Sequence, residues 1–130
     1  MATFNTEKDV KAKVKRLLNK HNWFWWMPAA NGFGKSGVSD FCAVKSGVFI
    51  GIETKYGKNK PTANQIAFLH SIQQEGCFGF VVNEERLEAL EAWLDAFERS
   101  IEYVSRKEVP PAEDGALLID CVRIMTQELP

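Results

Sequence analysis

The alternation of apolar and polar positions divides the chain into helix-like and strand-like runs. In TEKDVKAKVKRLLNKH, Val10, Val14, Leu17 and Leu18 recur at helical spacing with lysines opposite, which predicts a helix over about residues 6–20 capped by Thr6. NWFWWMPA reads as an aromatic strand or extended segment ending at Pro28, and AANGFGKSG as a glycine-rich loop. VSDFCAV and VFIGIET read as two strands joined by a two-residue Ser46–Gly47 turn. A second helix follows, with Thr62 and Gln65 spaced as a capping box and Ile66, Leu69 and Ile72 as its apolar stripe, until Gly76 stops it. CFGFVV is then a short buried strand, and the intervening helix makes it a parallel neighbour of VFIGIET.

Asn83 is placed to cap a long helix spanning about residues 84–102. Leu87, Leu90, Leu94, Phe97 and Ile101 form its buried face and acids its outer one, the pattern of a packed surface helix rather than a cofactor site. VPPAEDG is a loop, and ALLIDCVRIM reads as a last strand of unassigned connectivity. The whole predicts one α/β domain over residues 1–130, with a central mixed sheet and helices on both sides.

Three charged residues interrupt this pattern. Asp40, Glu53 and Lys55 lie in or beside the two most apolar strands, where isolated charges are expensive. A Ser46–Gly47 turn pairs Lys45 with Val48, Val44 with Phe49, Phe41 with Ile52 and Asp40 with Glu53. Paired residues share a face, and Lys55, two residues beyond Glu53, returns to it. Two carboxylates so opposed repel each other, and a divalent cation such as Mg²⁺ or Mn²⁺ relieves the repulsion. A structural ion pair with Lys55, or an unrelated binding role, fits the same pattern.

Composition narrows the classes. The 130 residues are 45% hydrophobic and 25% charged, enough for one core and too few for two domains. No apolar run is long enough to span a bilayer and the N-terminus lacks an apolar signal core, so a cytoplasmic location without membrane partners is expected. Cys42, Cys77 and Cys121 read as buried free thiols, and His21 and His70 form no recognisable metal motif. Residues 1–61 carry eleven Lys or Arg against four acids, whereas residues 62–130 carry five against thirteen. A basic half holding the unusual charges is consistent with a polyanionic partner, and equally with attraction between the halves or to a second subunit.

Gly37, Asp40, Glu53, Lys55 and Gln65 together resemble the core of the PD-(D/E)XK nuclease superfamily, and within it the VRR-NUC domain family. The likeness runs from about residue 5 to 82. It implies a restriction-endonuclease-like core with a C-terminal helix and strand extension. It also implies catalytic roles for Asp40, Glu53, Lys55 and Gln65, with Mg²⁺ or Mn²⁺ held by Asp40, Glu53 and the Thr54 backbone carbonyl. Glu7 matches the acid that the superfamily often adds from its first helix, with Asp9 as a substitute. Ser39 stands where the family usually has proline, and Thr54 where it usually has valine. The resemblance further implies a homodimer cutting branched or four-way-junction DNA. Lys35, Lys58 and Lys60 are placed to contact the phosphate backbone, with Lys11, Lys13 and Lys15 as weaker candidates. The rival expectation is a nucleic-acid-binding or assembly module that keeps the fold without cleavage.

Overall fold

A computed structural model describes residues 3–29 and 34–106, with backbone only for 102–106. The elements run α1 (Glu7–Lys20), β1 (Phe24–Trp26), β2 (Phe41–Lys45), β3 (Val48–Thr54), α2 (Ala63–Gln74), β4 (Phe78–Val82) and α3 (Leu87–Arg106). The strands form one mixed sheet of order β1-β2-β3-β4, antiparallel except for the β3–β4 pair. The expected last strand at 116–125 and Cys121 lie outside the described residues.

The β2–β3 hairpin has the expected register: Lys45 faces Val48, Val44 faces Phe49 and Phe41 faces Ile52. Its turn residues Ser46 and Gly47 both have positive φ, 50° and 81°, which matches the right-handed twist of the flanking strands. Because side chains alternate along a strand, this register decides which residues meet each helix layer.

One sheet face packs on α1 and α3. Val10, Val14, Leu17 and Leu18 from α1 meet Phe41, Ala43, Ile50, Ile52, Phe80 and Val82 from the sheet, and Leu87, Leu90, Trp93, Leu94 and Phe97 from α3. Trp93 lies at the aromatic centre, with ring centroids 5.0 Å from Phe80, 5.1 Å from Phe78 and 5.2 Å from Phe97.

The other face packs on α2, and two glycines govern that approach. Gly51 and Gly79 are register partners. A Cβ at Gly79 would stand 3.1 Å from Leu69 Cδ2, and one at Gly51 would stand 2.9 Å from Ile72 Cδ1. The absent side chains thus let α2 lie close against the strands.

Two expectations need correction. Asn83 does not cap α3: its side chain accepts a hydrogen bond from Glu85 N within a turn, and the helix starts at Leu87. The preceding polar residues satisfy a local turn before helical bonding begins at Leu90 N to Arg86 O. Cys77 is half-buried rather than buried, because it precedes β4 at the sheet margin, whereas Cys42 is buried as expected. Among the described residues, no helix is long and apolar enough to cross a membrane.

Candidate functional site

Asp40 stands just before β2, its side chain reaching Thr54 and, from α1, Lys11. Glu53 lies near the end of β3 and meets α2 through Gln65. Glu53 is 1% exposed. Its Oε2 accepts from Asp40 N at 3.2 Å and its Oε1 from Gln65 Nε2 at 2.8 Å. Lys55 Nζ lies 3.7 Å from Glu53 Oε1. Asp40 Oδ2 accepts from Thr54 N at 2.9 Å and Thr54 Oγ1 at 2.6 Å. Asp40, Glu53, Lys55 and Gln65 are therefore brought together.

The capping box of α2 orients Gln65. Gln65 Oε1 accepts from Thr62 N, and Gln65 N donates to Thr62 Oγ1. With the amide oxygen tied to the helix end, its NH₂ is turned toward Glu53. Gly37 sets the opposite wall: its φ is +76°, and a Cβ there would lie 2.3 Å from the Asn64 carbonyl oxygen. Ser39 uses its hydroxyl to donate to Phe41 O at 2.9 Å, and it is 2% exposed.

Burial pushes the Glu53 carboxyl up to about 8, and the neighbouring Asp40 charge adds to the shift while Lys55 opposes it. Lys11 Nζ bridges Glu7 Oε2 at 3.1 Å and Asp40 Oδ1 at 3.9 Å. Glu7 thus meets the site through a lysine. Asp9 is engaged elsewhere, accepting from Asn5 N and Thr6 N at the start of α1. Lys35 lines a cavity of about 470 Å³ that also reaches Asp40 and Gln65. Lys60 lines a smaller one beside Lys55, while Lys58 is exposed.

A second cluster forms at the far end of β2, roughly 17 Å along the strand from Asp40. His21, Asp95 and Glu98 bring ligand atoms within 4.8 Å of one another, close enough to hold a metal ion. His21 is buried, Asp95 half-buried and Glu98 exposed. His21 Nδ1 is 3.2 Å from Glu98 Oε2 and Nε2 is 3.6 Å from Asp95 Oδ1. Lys45 Nζ lies 3.5 Å from Glu98 Oε1 and donates to the His21 carbonyl. The pattern of residues did not single out this cluster, because α3 reads simply as amphipathic. A buried-face position at the end of α1 was the one available signal.

A scan against protein-family models and a search of curated proteins gave no match to the chain. Among the described residues the structure shows an α/β fold with a mixed four-stranded sheet, three helices and a His/Asp/Glu cluster whose spacing could hold a metal ion. Those features are compatible with the PD-(D/E)XK superfamily and are not specific to it.

Proposed function

We propose that the protein is a divalent-metal-dependent endonuclease that hydrolyses DNA phosphodiester bonds, with selectivity for branched DNA. The observation that carries the reading is the opposition of Asp40 to a buried Glu53 whose carboxyl is pushed up to about 8. A buried acid beside a second acid is stabilised by a cation, and an oxygen-only donor set suits Mg²⁺ or Mn²⁺.

Asp40 and Glu53 are the residues to hold that ion, with the Thr54 carbonyl as a further oxygen. The ion would polarise the phosphodiester and lower the pKa of an attacking water. The chain's own residues do the rest. Thr54 fixes one oxygen of Asp40 through two hydrogen bonds, and Gln65 fixes one oxygen of Glu53. Lys55, beside Glu53, supplies a positive charge to stabilise the phosphate as negative charge develops on it. Lys35, Lys58 and Lys60 hold the flanking backbone without reading sequence. A homodimer would present two such sites to two strands.

The test is a panel of four-way junction, flap, nicked and linear duplex DNA of matched sequence, incubated with Mg²⁺ or Mn²⁺. Junction cutting should exceed linear cutting, and Lys55→Ala should stop cutting while keeping most binding. Equal cutting of junction and linear duplex would remove the shape selectivity, and an active Lys55→Ala variant would remove that role for the lysine.

One observation favours a second reading, a nucleic-acid-binding module without cleavage. Lys11 already stands 3.9 Å from Asp40 Oδ1 and offers a built-in cation. Under that reading Lys11→Met would weaken folding, and no divalent ion would bind at Asp40 and Glu53.

A further inference from the structure

The three exposed large hydrophobic side chains among the described residues are consecutive or nearly so: Phe24 at 73%, Trp26 at 41% and Met27 at 39%. Alternation along β1 sends Trp25 to the opposite face, where its ring lies 5.7 Å from Phe41. Phe24 and Trp26 point outward together, 6.0 Å apart and tilted by 53°, so that neither covers the other. Trp26 also lies 6.4 Å from Phe49 of β3. Trp26 pairs with Cys42 and Cys42 with Gly51, so these rings share the sheet face of Glu53.

The strip does not end in solvent. Met27 and Pro28 form one wall of the 470 Å³ cavity whose other walls include Lys35, Ser36, Asp40 and Gln65. Aromatic faces, Lys35 and Asp40 thus lie along one continuous surface, with Glu53 buried behind it. A ligand that uses the whole surface needs flat apolar rings, a polar backbone and negative charge.

We infer that Phe24 and Trp26 form a stacking platform for unpaired bases of a nucleic-acid strand that leads into the Asp40–Glu53 site. The inference rests on the nuclease reading of that site, and it specifies the substrate: DNA with a single-stranded segment next to the bond that is cut. Bases inside a duplex are already stacked and have no free face to offer, whereas each unpaired base does. The strip reads no sequence, since every base has such a face.

Binding is to be measured by fluorescence anisotropy with labelled oligothymidylate and with linear duplex, in EDTA, so that no hydrolysis enters the result. Wild type should prefer oligothymidylate. Phe24→Ala and Trp26→Ala should each weaken that binding by about 5- to 150-fold, the range for losing one base–aromatic stack. Duplex affinity and the salt dependence should stay unchanged, because no charge is lost. Trp26→Phe should retain most binding, which separates stacking from a folding defect. Unchanged oligothymidylate binding in the double variant would overturn the platform. So would a wild-type dimer that the double variant converts to monomer, since the rings would then be a contact between copies of this chain. A failed cleavage panel with these binding changes intact would count against the nuclease reading alone.

Discussion

The two ends of strand β2 carry acids in opposite electrostatic situations. At one end, Asp40 opposes a buried Glu53, and the nearest cations, Lys11 and Lys55, stand 3.9 and 3.7 Å away. At the other end, Asp95 and Glu98 sit at the surface around a buried imidazole, and Lys45 reaches Glu98 from the sheet. Both ends gather ligand-type residues, and at the first a buried acid is held above its ordinary range. The second joins the basic half of the chain to the acidic one, through Lys45 and through Lys20, whose Nζ is 2.9 Å from Glu91. A cluster of ligand atoms is therefore less informative than the balance of charge around it.

The largest effect that separates the two ends is on stability against pH. Folded Glu53 keeps its proton to about pH 8, whereas an ordinary glutamate releases it near 4.5. Between those values the folded state binds more protons, so stability falls as pH rises, at most by about 1.4 kcal/mol per unit. The contribution is fully present below about 4.5 and lost above 8, with a ceiling of roughly 4–5 kcal/mol. Denaturant unfolding in EDTA from pH 5 to 9 should show this slope in wild type, and Glu53→Gln should flatten it. A flat wild-type profile would mean that Glu53 ionises freely.

Next in size is Gly37→Ala. A Cβ there meets the backbone carbonyl of Asn64 and needs a positive φ, so α2 must shift and carry Gln65 away from Glu53. A loss of about 2–4 kcal/mol is expected, read as a fall of roughly 10 °C in Tm. A fall of only a degree or two would show that the tight approach of Gly37 to α2 is dispensable.

The hairpin that creates the acid end was legible because a two-residue turn leaves one register, and that register places Asp40 opposite Glu53. The capping box of α2 was legible too, since Thr62 and Gln65 carry it in four residues. Gln65's second task, turning its amide to Glu53, depends on how closely α2 approaches. That distance follows from Gly51 and Gly79 being neighbours across a parallel pair, which separated runs of sequence do not display. The His21 cluster was hidden for a similar reason. His21 and Glu98 are 77 residues apart and meet only because α1 and α3 pack on the same sheet face. Trp93, at the centre of the core, was also outside the expected apolar stripe of α3.

A smaller effect is expected at the second end. His21→Ala removes a buried ring that links α1 to α3, at a cost of about 1–2 kcal/mol. It should leave DNA cleavage by the Asp40–Glu53 site unchanged once the lower Tm is allowed for. A His21→Ala protein that stays folded but cuts no DNA would move the chemistry to the other end of the sheet.

The most direct test of the account is calorimetric titration with Mn²⁺ at pH 7.5, comparing wild type, Asp40→Asn and Glu98→Gln. Wild type and Glu98→Gln should bind one ion and release a proton, seen as heat that varies with the buffer's ionisation enthalpy, because Glu53 must ionise. Asp40→Asn should bind none. Retention of binding by Asp40→Asn with its loss in Glu98→Gln would place the ion at His21, Asp95 and Glu98 and contradict the account.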